Sequence, residues 1–294
     1  MNPVQRGYLY ALLATICGSL VYLFSKAALL EVSLAQFGFW WFALALVWNS
    51  AMAVHPKGGF SLKGLGRADY KTLILMGLVE IIATTSLYAA IAIADNPTVP
   101  SFLRNLEYLF ISVLGMILLS EKYSRLSGIG ALLVLTGAFF VGLKTGNLKG
   151  LLSTTSALML LSTSFYAIRT ILAKKHIKEI GPVMLAINRA IFLLLFASLF
   201  LVLNNEQILI PGQAFLNILA GSFVGPFLTS VFQYSALRYI EASRAAIVQS
   251  TTGMFVLGGS LLMFGLLPTD LQMAGGAVTV FGVALMMRAR KISG

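Results

Sequence analysis

Long runs of apolar residues alternate along this chain with short stretches of polar and helix-breaking residues. Ten runs stand out: Gly7 to Leu29, Leu34 to Ala53, Leu73 to Ala94, Val99 to Leu119, Leu126 to Leu143, Leu151 to Leu172, Val183 to Leu203, Ala214 to Leu237, Ala245 to Leu267 and Leu271 to Met287. Each comes close to the roughly 20 apolar residues that a helix needs to span a hydrocarbon core. Lipid offers no partner for a bare peptide group, so a run of this length in a bilayer must satisfy its backbone as a helix. The connections are short, such as Asp95-Asn96-Pro97-Thr98 and Ser120-Glu121-Lys122-Tyr123-Ser124, and the longest, Val54 to Thr72, is polar and glycine-rich. The pattern predicts an all-α integral membrane protein of ten transmembrane helices with almost all its mass in the bilayer.

Composition sharpens that picture. With 58% hydrophobic and 11% charged residues in 294, and a mean hydropathy of +0.89, the chain is far more apolar than a water-soluble domain of its length. Apolar runs recur to the end and no small-residue cleavage site follows the first, so Gly7 to Leu29 reads as a span and not as a removable signal peptide. The net charge of +11 sits mainly in short loops, where membrane orientation explains it and nucleic-acid binding is not expected. With the amino terminus in the cytosol, most of the 21 Lys and Arg fall on that side, from Arg6, Lys57 and Lys63 through Lys122, Lys174 and Arg244 to Arg288 and Lys291. The opposite loops hold only Lys144 and Lys149. The expected location is a multi-pass position in the cell's inner (plasma) membrane with both termini cytoplasmic. Cys17 is alone, and His55 and His176 fall in separate predicted loops, so neither a disulfide framework nor a metal centre is expected, and no cofactor.

The chain also repeats itself. A shift of 145 residues sets Asn96 to Phe139 against Glu241 to Ala284 and aligns Phe110 with Phe255, Gly130 with Gly275 and Gly137 with Gly282; a shift of 146 aligns Tyr88 with Tyr234. Two halves of five spans follow, residues 7–143 and 151–287. Five is odd, so the second half enters the membrane from the opposite side, giving inverted repeats about an axis in the membrane plane. The segments Asn96-Pro-Thr-Val-Pro-Ser-Phe-Leu and Leu119-Ser-Glu-Lys-Tyr-Ser, with Gly130 and Gly137, resemble the EamA domain of the drug/metabolite transporter superfamily. In the second half Glu241-Ala-Ser-Arg-Ala-Ala, Phe264-Gly-Leu-Leu-Pro-Thr, Gly275 and Gly282 resemble it again. The resemblance covers essentially the whole chain. It implies ten helices around a central cavity and a transporter, with export the habitual direction and substrates ranging over amino acids, sugars, nucleotide derivatives, amines and drugs. Arg189 looks like the family's usual basic residue in the seventh span. Trp40-Trp41-Phe42 stands near where many members carry an arginine, and Leu266 near where an acidic residue is more common.

A charged side chain at a helix centre costs roughly 2.5 to 3.5 kcal/mol on insertion scales, so it needs a wet cavity or a partner. Glu80, Arg104, Glu107 and Arg189 read as the four deepest. On a continuous fourth span, Arg104, Glu107, Tyr108 and Ile111 share one face, with Glu107 near mid-membrane. The repeat sets Arg104 on Gln249, Asn105 on Ser250 and Glu107 on Thr252, so the ninth span carries a matching polar patch. Arg104 and Glu107 either contact a substrate or coupling ion, or only neutralise each other. Glu80 is a candidate proton carrier or a partner for Arg189. Tyr88 and Tyr166, with Tyr22, Tyr108 and Tyr234, have the faces to cage an organic cation or stack on an aromatic solute; Trp40 and Trp41 read better as packing or lipid contacts. Lys26 and Arg169 occupy nearly equivalent places in the two halves, near enough to helix ends for snorkelling to be expected. Gly225-Pro226 predicts a kink in the eighth span, and Gly221-Ser-Phe-Val-Gly225 a close helix approach. Gly128, Gly130, Gly137 and Gly142, with Gly275, Gly276 and Gly282, suit tight packing of the fifth and tenth spans.

No Asp-x-x-Asp, no His-Glu-x-x-His and no histidine within a predicted span offer enzyme chemistry, and no ATP-binding motif is present. The expectation is therefore a gradient-driven or exchange transporter. It moves a small polar or amphipathic organic metabolite, such as an amino acid or amine, by alternating access, with Glu80 or Glu107 as candidate proton carriers. The competing reading is a lipid flippase or structural membrane scaffold, which has little need for polar faces on the fourth and ninth spans.

Overall fold

The computed structural model of the chain describes residues 2–54, 66–119, 125–142, 153–240, 245 and 248–290. Among them the regular structure is helical, without strands: α1 (Pro3–Leu29), α2 (Leu34–Val54), α3 (Arg67–Ile93), α4 (Thr98–Leu103), α5 (Leu106–Leu119), α6 (Arg125–Gly142), α7 (Thr154–Ile180) and α8 (Pro182–Leu203). Then come α9 (Gly212–Ser222), a π-helical turn (Phe223–Thr229), α10 (Ser230–Tyr239), α11 (Thr252–Phe264) and α12 (Asp270–Arg290). Six stretches are long and apolar enough to cross a bilayer: Pro3–Leu29, Leu34–Val54, Arg67–Ile93, Thr154–Ile177, Pro182–Leu203 and Gly212–Tyr239. Shorter apolar helices cover Gly128–Val141, Thr252–Phe264 and Asp270–Leu285. The loop cations Lys57, Lys63, Lys122, Lys144, Lys149, Arg244 and Lys291, His55, and the motif segments at 120–124 and 241–244 lie outside the described residues.

The bundle is apolar outward and polar inward, the distribution a lipid solvent selects. Ile74, Leu78, Leu132, Leu195 and Leu262 are exposed, whereas Thr15, Ser25, Asn49, Glu80, Thr84 and Arg169 are buried. Helix starts follow local chemistry. Asn2 caps α1 by accepting from the Gln5 N–H at 2.8 Å, and its own N–H donates to Gln5 Oε1 at 3.1 Å; Pro3, which lacks an N–H, takes the first helical position.

Two expectations about helix length are corrected. The run read as Leu151 to Leu172 continues as α7 to Ile180, so His176 is helical and Arg169 lies well inside the helix. The run Val99 to Leu119 is interrupted between α4 and α5, at Arg104 and Asn105.

The helix pairings respect the repeat. α1 packs on α10 as α3 packs on α7, α1 meets α11 as α5 meets α7, and α2–α8 and α6–α12 pair helices that correspond to each other. At the α6–α12 crossing, a Cβ added to Gly137 would strike the Gly275 carbonyl and Thr279. One added to Gly282 would strike the Gly130 carbonyl and Val134. The order along α6 thus runs against the order along α12, so the two helices cross antiparallel, each glycine facing the repeat equivalent of the other. Such backbone-to-backbone approach is open only to glycine.

Lys26 does not snorkel. It is buried, and its Nζ donates to the carbonyls of Ala92 (3.0 Å) and Ala94 (2.7 Å) where α3 ends. Lys174 on α7 does the same for α10, donating to Leu237 O and Ile240 O, each at 2.9 Å. A cation on unpaired terminal carbonyls also meets the negative end of the helix dipole. Lys174, and not Arg169, is therefore the counterpart of Lys26.

Candidate functional site

Both helices expected to carry the site are broken at the polar residues. Between α4 and α5 the regular ladder gives way to short-range bonds, with Asn105 N donating to Phe102 O at 3.0 Å, Glu107 N to Arg104 O at 2.9 Å and Tyr108 N to Asn105 O at 3.1 Å. Before α11, Thr251 N donates to Val248 O at 3.2 Å and Met254 N to Thr251 O at 3.0 Å, so Ser250 and Thr251 stand outside the helix as Asn105 does in the other half. The face-sharing argument assumed a continuous helix. The break keeps Arg104 and Glu107 together all the same, their Nη2 and Oε2 atoms 3.1 Å apart.

A third element joins them. Arg169, on α7, is 2% exposed and reaches both carboxylates: its Nη1 lies 3.4 Å from Glu80 Oε1 and its Nη2 3.8 Å from Glu107 Oε1. Glu80, on α3, also holds Arg189 of α8 through Nε at 3.2 Å, and accepts from Thr84 Oγ1 at 2.8 Å and Tyr234 OH at 3.3 Å. Glu107 accepts from Thr170 Oγ1 at 3.2 Å. Arg189 donates to Ser230 Oγ at 2.8 Å, to Thr84 Oγ1 at 3.3 Å and to Tyr166 OH at 3.4 Å. Tyr166 sits among the arginines, with Arg104 Cζ 4.2 Å and Arg169 Cζ 4.6 Å from its ring centre. Guanidinium groups over an aromatic face are attracted by the ring quadrupole, more strongly where water is excluded. Five helices of both halves are tied by one network of three arginines and two glutamates.

Beside this network lies a cavity of about 60 Å³. Arg104, Arg169 and Arg189 line it with Tyr22, Tyr88, Tyr108 and Tyr166, and from the second half Thr229, Gln233, Gln249 and Thr252 close it. Gln233 Nε2 donates to Gln249 Oε1 at 3.3 Å and Thr252 Oγ1 to Gln249 O at 2.7 Å, which sets the amide of Gln249 on the wall. The polar patches of the fourth and ninth spans do face one space. Glu80 and Glu107 stand behind the arginines and do not line this cavity; Glu107 instead borders a crevice of about 10 Å³ with Thr170, Ile111 and Gln249.

The sequence reading set Arg169 near a helix end and expected it to snorkel, because its run was ended at Leu172, three residues further on. Counting Ala173 to Ile180 as helix would have placed it at mid-span. The kink expected at Pro226 takes the form of the π-helical turn, where Thr229 Oγ1 donates to Val224 O at 2.7 Å and Asn49 Nδ2 reaches Pro226 O at 3.4 Å. The turn delivers Thr229 to the cavity and Ser230 to Arg189, as π-bulges often do at working sites. Trp41 packs fully buried against Gly221 and Gly225, whose missing side chains make room for its ring; Trp40 donates to Ile208 O at 2.8 Å.

Apolar helices wrapped around a buried, charged cavity are the build of an integral multi-pass membrane protein with an internal polar site. The sequence model of the EamA-like transporter family matches residues 5–143 and again 154–288, so the chain belongs to that family, of the drug/metabolite transporter type. A solved crystal structure, 13% identical, superposes over 99% of both chains with a TM-score of 0.67, which shows a shared fold; it is one of 28 solved chains that match. No curated protein matches the sequence.

Proposed function

We propose that the protein is a secondary transporter that carries a small polar or amphipathic organic metabolite by alternating access. Its ten helices form two inverted five-helix repeats, residues 7–143 and 151–287, with both termini in the cytosol. The observation that carries this reading is the polar cavity at the paired breaks of α4–α5 and of the segment before α11, walled by both halves. Broken helices at the interface of inverted repeats are how transporters present polar groups at mid-membrane without exposing backbone to lipid. The antiparallel α6–α12 crossing and the matched lysine caps support the inverted relation. In this reading the halves rock about the cavity, and solute enters from one side and leaves by the other. Arg104, Tyr108, Tyr166, Arg189, Gln249 and Thr252 contact the solute. Glu80 and Glu107 hold the arginines in place and are the candidate groups for proton coupling, Tyr88 standing at the cavity's edge.

The test is counterflow into proteoliposomes made with the purified protein and preloaded with unlabelled amino acids, organic acids or amines. Accumulation of one labelled class, reduced tenfold or more by Gln249→Ala together with Arg104→Gln, is the expected result. Translocation of fluorescent phospholipid with no solute accumulation in any class would replace the metabolite reading by a lipid flippase, and neither activity would leave a scaffold.

A further inference from the structure

We infer that the transported solute carries an anionic group, and that its body lies in a separate apolar slot that opens beside the charged cavity. This rests on the reading of that cavity as the transport site. All three arginines of the network line the cavity, neither glutamate does, and no other charged residue is among the described lining residues. Each oxygen of the two carboxylates is already engaged: Glu80 by Arg169, Arg189, Thr84 and Tyr234, and Glu107 by Arg104, Arg169 and Thr170. Three guanidiniums against two carboxylates leave one positive charge over, and in a water-poor site an excess charge draws a counter-charge. Arg104 is the most open member, with 18% of its side chain exposed against 2% for Glu107. Tyr22, 3% exposed, lines the cavity, and its hydroxyl has no acceptor, since the neighbouring Arg104 guanidinium can only donate. It is a donor in want of an acceptor.

Size assigns the rest. At about 60 Å³, against the ~10–15 Å³ that lodges a single water, the cavity has room for a small polar head such as a carboxylate. Tyr88 lines this cavity and also a slot of about 160 Å³ between α2, α3 and α8, walled by Phe37, Phe42, Leu193 and Phe196. Among the described residues lining the slot the one charged side chain is Glu206, in the α8–α9 connection, engaged by Ser33 and Asn204. Head and slot together fit a small amphipathic organic monoanion and disfavour an amine, whose ammonium would face guanidiniums.

The probes are phenylacetate, benzylamine and phenylacetamide, one ring with three heads, each at about 10 mM with the full chain in phosphatidylcholine nanodiscs. Phenylacetate is expected to raise the melting temperature by about 3 °C, with no shift from the other two, as a millimolar ligand of the folded state does. The shift should vanish in Arg104→Gln and fall by half or more in Tyr22→Phe, which keeps every ion pair and serves if the arginine variant does not fold. Stabilisation by benzylamine equal to or above that by phenylacetate overturns the inference, as does a phenylacetate shift that both variants keep, or no shift with any probe. Stabilisation by phosphatidylglycerol in the nanodisc, with none by phenylacetate, assigns the positive wall to a lipid headgroup and overturns it too. Counterflow separates the two readings. Labelled benzylamine moved and phenylacetate not would sink the anion and keep the transporter. Phenylacetate bound through Arg104 but never moved would keep the anion site and sink the transport role.

Discussion

Arg169 is the residue on which the network turns, because it alone among the described residues forms ion pairs with both glutamates. Buried charges of this kind hold together as a set. Removing one partner leaves its mates desolvated and unpaired, at a cost of about 3–5 kcal/mol, whereas removing a matched pair is far cheaper. Glu80→Leu, which leaves Arg189 without its carboxylate and Arg169 with Glu107 alone, is therefore expected to destabilise by that amount. In Glu80→Leu with Arg169→Leu, at least half of the loss should return, so that in a double-mutant cycle of denaturant melts the double variant falls short of the summed single losses by about 2 kcal/mol or more. A strictly additive loss would show that the two residues act independently and that the contact is incidental. Lys26 and Lys174 teach the same lesson in milder form, since each was legible as a cation near a span end, but not as the cap of a particular neighbour.

At the scale of elements, the glycines on α6 are not equivalent although the sequence presents them as one group. Gly137 lies against the Gly275 backbone, while a Cβ on Gly128 meets nothing. Gly137→Leu should force the α6–α12 crossing apart and cost about 1–3 kcal/mol, whereas Gly128→Ala should be neutral or slightly stabilising through helix propensity. Thermal melts in the same detergent compare the two. Equal losses would mean that the crossing is not where the halves meet. The breaks in α4–α5 and before α11 belong to this scale too. Apolar periodicity predicted unbroken spans there, because Arg104-Asn105 and Ser250-Thr251 carry no proline or glycine to announce an interruption; short-range backbone bonds take the place of the helical ladder, and the Asn105 side chain donates across to Thr279 Oγ1 at 2.8 Å.

For the whole molecule, the proposed alternating access requires the first and second halves to separate and rejoin. The α2–α8 pair is a place to test that movement, because a Cβ on Gly38 would lie 3.1 Å from the Cβ of Ala197, within reach of a disulfide after slight adjustment. In a Cys17→Ala background, the Gly38→Cys and Ala197→Cys protein is expected to lose more than 90% of solute counterflow on oxidation and to regain it with a reducing agent. Full transport through the cross-linked protein would exclude rocking at this contact and confine any motion to other helices.

What the sequence determined by itself was everything that rests on solvent: a membrane fold of apolar spans, the internal repeat, and the fourth and ninth spans as bearers of polar groups. These follow from local composition, since each helix must satisfy lipid along its own length. Tertiary structure decided what depends on two or more helices at once. It extended α7 so that Arg169 fell at mid-span, set Glu80 and Glu107 behind the arginines, and matched Lys26 with Lys174. Which charge faces a cavity and which is covered by its partners is a property of packing between segments that lie far apart in the chain, so no run of residues carries it alone.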